Sequence, residues 1–255
     1  MNLRFFQRTQ LKWGALFLFS YLFFLLAMMP ASVVVTRLPL PKALQLNAVQ
    51  GTLWQGEVGE VRWQQHTLHH VSWQVEWSRL LVGMPALHLT LNDPQFLSGE
   101  TTVGWRGDLF VEDLSLHVPV SMIASFIPMP VSIGVTGNAS LSIRQLQIDP
   151  QHCTQLQGSL TWQAGNLSTP LGDIVLGSPQ ASLACDGDTF TAEVTQDSDM
   201  LSSQSTVNMT LQGHYQLQST LTAGQKLPEN IRSSLNFMGK DIGNGVYKVN
   251  EQGVL

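Results

Sequence analysis

Histidines, cysteines and carboxylates are the side chains through which this sequence could bind a metal or move a proton. His66, His69 and His70 are the densest histidine group, and a metal site would need them within about 2.1 Å of one ion. His69 and His70 adjoin each other on what reads as the far arm of a hairpin, so their side chains point to opposite faces and convergence is hard. His88 and His117 occupy polar phases of their strands, the ordinary place for a histidine. A nucleophile needs a base beside it and a turn that presents it. Neither a G-x-S-x-G elbow nor an H-E-x-x-H helix occurs, and neither cysteine has a protease-like context. Gly239-Lys240-Asp241-Ile242-Gly243-Asn244-Gly245 is glycine-rich. It follows a short helix and precedes a strand instead of opening a helix, and it lacks the Ser or Thr after the lysine that a phosphate loop uses. The acid pairs Glu112-Asp113 and Asp186-x-Asp188 read as turn and edge residues. No catalytic residue, metal, cofactor or small-molecule substrate is expected, and the chain reads as a non-enzyme.

The two cysteines, Cys153 and Cys185, are not a C-x-x-C pair, and an oxidising compartment would let them join. Closing that loop would contribute ~3.5 to 4 kcal/mol by chain entropy. Pairing requires Cα atoms within about 7 Å, so their strands would have to be neighbours. The competing reading is two separate buried thiols. Six tryptophans lie beyond residue 50, Trp54, Trp63, Trp73, Trp77, Trp105 and Trp162. Trp73 and Trp77 stand in phase with Val71 and Val75, which marks them as core aromatics. A carbohydrate or lipid surface is the alternative.

These residues have to be held by particular elements, and the first is an amino-terminal helix. Arg4, Arg8 and Lys12 precede a charge-free stretch from Trp13 to Thr36, interrupted by Pro30. As a helix it would span ~36 Å, enough to cross a bilayer. A cleaved signal peptide would want small residues at −3 and −1, whereas cutting after Ala27 or Ala31 places Leu25 or Met29 at −3. The expectation is an uncleaved anchor over 13–36, with residues 1–12 as a cytoplasmic basic tail and the rest exported. The exported part carries 10 Lys and Arg against all 18 Asp and Glu, a net charge of −8. That charge, with no basic run interleaved with aromatics, excludes a nucleic-acid partner.

The stretch from Pro30 to Pro41 reads as extended, with 37–42 as a linker to a β domain over 43–255. Period-2 alternation then recurs: Val71, Trp73, Val75 and Trp77; Leu87, Leu89 and Leu91; Leu114, Leu116 and Val118; Leu141 and Ile143; Phe190, Ala192 and Val194; Val207, Met209 and Leu211. One buried and one wet face per strand is the antiparallel habit. Asn92-Asp93-Pro94, Asp149-Pro150 and Asp186-Gly187-Asp188 supply turns, and the absence of long helical segments between strands excludes βαβ units. The fold class expected is mainly β, a curled or twisted antiparallel sheet, with two short helices over Val120 to Ile127 and Pro228 to Phe237. The stretch from Gln50 to Gly56 echoes that from Gln157 to Gly165, which would divide the domain into similar halves, 43–150 and 151–255, if it is a duplication. Coincidence is the alternative. The wet faces are rich in Gln, Ser and Thr, which hydrogen-bond without adding charge.

An anchor followed by Val49-Gln50-Gly51-Thr52-Leu53-Trp54-Gln55-Gly56 and Val71-Ser72-Trp73-Gln74-Val75-Glu76-Trp77 resembles the type II secretion system protein N family. Gly51, Thr52, Leu53, Trp54 and Gly56 are the most specific part of that likeness. Leu80-Leu81-Val82-Gly83, the helix from Pro228 and the closing run from Gly245 to Gly253 extend it over nearly the whole chain. The resemblance implies a non-catalytic accessory component of the inner membrane, single-pass with its body periplasmic. Such a component would support export of folded proteins across the outer membrane by contacting other secretion subunits. It also implies an alternative, an AsmA-like β groove that binds or transfers lipid in the periplasm.

Overall fold

The computed structural model describes residues 3–37, 41, 44–63, 66–93, 97–125 and 133–254. The turn residue Pro94, the end of the expected helix at Phe126 and Ile127, and linker residues 38–40 and 42 lie outside the described residues. The chain divides into two compact units, Met1–Val75 and Glu76–Leu255.

The first unit holds α1 (Leu3–Ala27), α2 (Ala31–Val35), β1 (Leu44–Gly51), β2 (Gln55–Trp63) and β3 (His66–Val75). α1 is a 25-residue helix, ~37 Å long. From Trp13 onward it exposes large apolar side chains in every direction, among them Phe17 at 76% and Phe19 at 70%. Among the described residues no helix is long and apolar enough to cross a membrane, and the side chains before Trp13 lie outside that description. The stretch expected to be extended after Pro30 instead contains α2. Pro30 has φ −66 and ψ 134 and serves as its N-cap; a ring-fixed φ of this kind is preset to enter a first turn.

β1, β2 and β3 form an antiparallel meander. Ala48, Gly59 and His70 fall in one row across it, and the pairing skips that row. Ala48 and His70 adopt left-handed backbone, φ 55 and 54, which is costly for residues other than glycine. The strict alternation that would have sent His69 and His70 to opposite faces is therefore interrupted at His70.

The second unit runs α3 (Trp77–Leu81), β4 (Ala86–Asp93), β5 (Leu97–Trp105), β6 (Leu109–Pro119), α4 (Val120–Ser125), β7 (Gly134–Ile148), β8 (Cys153–Thr169), β9 (Gly172–Gly177), β10 (Gln180–Asp186), β11 (Thr189–Asp197), β12 (Leu201–Thr210), β13 (His214–Ala223), α5 (Glu229–Met238), β14 (Lys240–Gly243) and β15 (Val246–Val254). Its strands order as β4-β5-β6-β7-β8-β10-β11-β12-β13-β15-β14, with β9 pairing β8 off that path. The pairs are antiparallel, as the alternation requires. The glycine-rich stretch forms β14 and its turn into β15, with Asn244 and Gly245 at φ 56 and 72, the left-handed pair of a tight hairpin.

Cross-strand registers show how the two faces sort. Gln180, Thr195, Gln204 and Thr220 stand in one row, and Ser182, Glu193, Thr206, Gln218 and Asn250 in another on the same face. On the other face Leu183, Ala192, Val207 and Leu217 align, and beside them Cys185, Phe190, Met209 and Tyr215. α5 lies against the sheet through Ile231 and Leu235, one helical turn apart, which join Leu227 and Tyr247 in a buried cluster packed on Ile174, Met200, Leu201 and Leu221.

Cys153 and Cys185 form a disulfide with Cα atoms 6.0 Å apart. Their strands, β8 and β10, are paired neighbours, and Cys153 additionally donates its N–H to the carbonyl of Gly187 at 2.6 Å. The turn just before it is held by Asp149, whose Oδ1 accepts the N–H groups of Gln151 at 2.7 Å and His152 at 2.6 Å. Those backbone donors, Gln151 first, hold the Asp149 carboxyl below its ordinary value of 3.8.

Two outcomes follow from this arrangement. Replacing both cysteines by alanine should destabilise the second unit by ~2 to 4 kcal/mol, read as a lower urea midpoint for the full chain. A carboxyl whose folded pKa is depressed contributes stability above its unfolded value and loses it as pH falls through the folded one. Asp149→Ala should therefore narrow the gap to the wild-type midpoint as pH drops below 3.8; an unchanged gap would deny the turn its carboxylate.

Candidate functional site

The motif residues Gly51 to Gly56 form the turn between β1 and β2, closed by the pair Gly51 and Gly56. Gly51 sits at φ 91, where a side chain would be strained. Thr52 donates its N–H to the Gln55 carbonyl at 2.8 Å, and its hydroxyl oxygen accepts the N–H groups of Trp54 and Gln55 at 3.3 Å. A threonine at this position thus freezes the turn through a side-chain bond that competes with water.

The frozen turn grips the end of α1. A helix leaves its last carbonyls without intrahelical donors. Trp54 supplies one by donating its Nε1–H to the Leu26 carbonyl at 3.0 Å. Leu53 donates its N–H to the Met29 carbonyl at 3.0 Å, and Thr52 forms an antiparallel bridge with Pro30. Trp73, on β3, supports the turn from beneath: its Nε1–H donates to the Leu53 carbonyl at 3.2 Å. A Cβ added at Gly56 would lie 2.5 Å from the Trp73 ring and against the Gln50 carbonyl, so only glycine lets that ring approach. Gly51, Thr52, Leu53, Trp54, Gly56 and Trp73 are thereby brought together as a clamp. Its chemistry is hydrogen-bond capping and packing.

The echo of this motif is folded differently. Gln157 to Gly165 lies inside the single strand β8, where Trp162 donates its Nε1–H to the Thr136 carbonyl at 3.0 Å.

Trp77 is not in the core. β3 ends at Val75, and Trp77 opens α3 with 51% of its surface exposed. The alternation breaks because the chain turns at Glu76, whose N–H is claimed by the Ala86 carbonyl at 3.0 Å. Glu112 is neither a turn nor an edge residue, since it is paired on both sides within β6, and Asp113 beside it sits at φ 50 inside the same strand, where the pairing on both sides skips it. Glu112 belongs to a cluster that the sequence did not reveal. Arg79 contacts Glu76 Oε2 at 2.6 Å and Glu112 Oε2 at 2.7 Å, and its guanidinium lies 5.7 Å from the Phe110 ring centre. Thr102 donates its hydroxyl to Glu76 at 3.3 Å. The bond to Glu112 leads in holding Arg79 above its ordinary pKa. The Glu76 and Arg79 spacing of three was the one local signal for this cluster; Glu112 and Phe110 are remote in sequence. The group pins α3 to the sheet. His69 is half-buried and His70 exposed, while the His66 side chain lies outside the described residues.

A family model described as Type II secretion system (T2SS), protein N matches residues 42–250, beginning after both amino-terminal helices. A type II secretion system protein N from Aeromonas hydrophila is 34% identical over 243 residues, covering 94% of this chain and 96% of that protein. The corresponding protein of Vibrio cholerae serotype O1 is 30% identical, covering 89% and 91%, and that of Pectobacterium carotovorum 31% identical, covering 95% and 96%. No solved structure gives a significant match.

The clamp predicts separable effects. Gly56→Ala should destabilise the first unit by ~1 to 3 kcal/mol through overpacking on Trp73. Trp54→Phe keeps an aromatic ring, smaller than the indole, but removes the donor to Leu26, costing ~1 kcal/mol for the hydrogen bond. Hydrogen exchange should show it as faster exchange confined to the end of α1 and the turn; exchange unchanged there would remove the clamp.

Proposed function

Because the chain belongs to the type II secretion system protein N family, we propose that it is a non-catalytic accessory component of that machinery, anchored in the inner membrane. It supports export of folded proteins from the periplasm across the outer membrane. The observation that carries this reading is the family match over residues 42–250, joined by relatives that align along nearly their full length. In this layout residues 1–12 are a cytoplasmic tail, 13–36 the membrane anchor, 37–42 a linker and 43–255 the periplasmic β domain. Arg4, Arg8 and Lys12 favour retention of the tail in the cytoplasm. The all-round exposure of apolar side chains on α1 suits a hydrocarbon surround. The disulfide suits an oxidising compartment.

Its work is contact with other secretion subunits. The Gln, Ser and Thr rows on β10 to β13, interrupted by the single acid Glu193, offer hydrogen bonds at small desolvation cost, and edge strands offer backbone pairing. A cleft of 690 Å³ on that side, lined by Gln180, Thr195, Gln204 and Thr220 among others, is polar and suits an aqueous or peptide partner better than an acyl chain. The lipid-groove alternative draws nothing from it.

Deleting the gene should abolish exoprotein release while leaving the outer-membrane lipid barrier intact, and the full chain supplied in trans should restore release. An altered barrier with normal secretion would instead favour lipid transfer. A reporter active only in the periplasm, fused after Leu255, should be active; cytoplasmic activity would reverse the topology.

A further inference from the structure

One end of the second unit is apolar on both of its faces. At the tip of the β5–β6 hairpin, Trp105 pairs with Leu109, and the two are 52% and 39% exposed. Leu87 continues that face, opposite Val103, at 38% exposed. On the reverse face Phe110 packs against Gly104 and is covered by α3 through Arg79. The outer side of α3 is apolar in turn: Leu81 is 86% exposed, Val82 66% and Trp77 51%. The two halves of this end are stitched together. Trp105 donates its N–H to the Pro85 carbonyl at 3.0 Å, Met84 donates to the Arg79 carbonyl at 3.0 Å, and Arg106 donates Nε–H to the Met84 sulfur at 2.8 Å.

We propose that this end, formed by the β5–β6 tip and the α3 turn, is a lipid-contacting surface that dips into the headgroup boundary of a phospholipid leaflet. A protein partner covers one side of a surface. Apolar side chains on both faces of a single tip instead match a medium that surrounds it. The residue types fit that boundary, where tryptophan keeps its ring in the apolar zone and its N–H among headgroups, and where leucine and valine gain by leaving water. Acids would oppose the insertion, and those at this end are engaged. Glu76 and Glu112 are ion-paired with Arg79, and Asp108 accepts a 2.9 Å bond from the Gln147 amide. Arg106 brings a guanidinium to the tip, suited to a lipid phosphate. This opposes the net charge of −8 carried by the exported part, which by itself would hold the body off an anionic leaflet. The inference rests on the reading of α1 as a membrane anchor, which keeps a leaflet within reach.

The test uses the full chain in nanodiscs of phosphatidylcholine with a minority of phosphatidylglycerol. Both native cysteines are engaged in the disulfide, so one added cysteine can carry an environment-sensitive fluorophore. Three positions are compared: Leu81→Cys at the proposed contact, Phe19→Cys on α1, and Phe237→Cys on α5, 92% exposed and apolar but elsewhere in the unit. The expected result is blue-shifted emission at positions 81 and 19, quenched by lipids bearing a spin label, with water-like emission at 237. Adding Trp105→Ser to the Leu81→Cys chain should return its emission toward that in water while position 19 is unmoved. Position 81 water-like beside a blue-shifted position 19 would overturn the lipid contact. Equal shifts at 81 and 237 would overturn it as non-specific adsorption. Position 19 water-like would sink the anchor reading separately, and a blue shift retained at 81 would then leave the leaflet contact standing.

Discussion

The antiparallel backbone ladder is the interaction on which the rest of this molecule depends. Among the described residues 13 hydrophobic side chains are fully buried, four of them alanines, and the apolar row Leu183, Ala192, Val207 and Leu217 is half-buried, so the dry face of the sheet is only partly covered. Each strand satisfies its N–H and C=O groups against the next, and leaving any of them unpaired away from water would cost more than most of the side-chain contacts contribute. The compact cluster of Leu227, Ile231, Leu235 and Tyr247 under α5, packed on Ile174, adds local fastening where the ladder branches to β9, and the disulfide fastens β8 to β10 at the opposite end of β8.

The same hydrogen-bond accounting explains the motif by which the family resemblance was read. A helix end facing a sheet presents carbonyls that need donors, and the Gly51 to Gly56 turn supplies one from Trp54 to Leu26 and, just past the helix, one from Leu53 to Met29. Glycine at 51 and 56, threonine at 52 and the Trp73 ring are then requirements of one small construction. No proton transfer or ligand chemistry is needed to account for those residues.

Charged residues are sparse, 13 Lys and Arg and 18 Asp and Glu among 255 residues. The Glu76, Arg79 and Glu112 cluster fixes α3 over Phe110, and the broad polar rows on β10 to β13 rely on amides and hydroxyls. A surface of that kind binds through geometry and backbone complementarity more than through long-range attraction, in keeping with the subunit contacts proposed for it.

The sequence by itself determined the strand habit, the antiparallel class, the position of α5 and the family, because period-2 alternation and turn residues act over a few neighbours and survive in a single chain. It also made the Cys153–Cys185 pair a candidate, though only the adjacency of β8 and β10 decided that the sulfurs meet. Tertiary structure alone decided the rest. Trp77 kept the phase of a core residue, yet it left the core because Glu76 is captured by Ala86, a partner ten residues away that no local pattern announces. Glu112 and Asp113 looked like turn acids and proved to be interior to β6, where Arg79 from another element neutralises Glu112. The duty of Trp54 was equally hidden, since its partner is a carbonyl 28 residues earlier in α1. Alternation reports which side of a strand is dry, whereas the identity of what lies there depends on contacts between residues distant in sequence, and those are set only when the chain has folded.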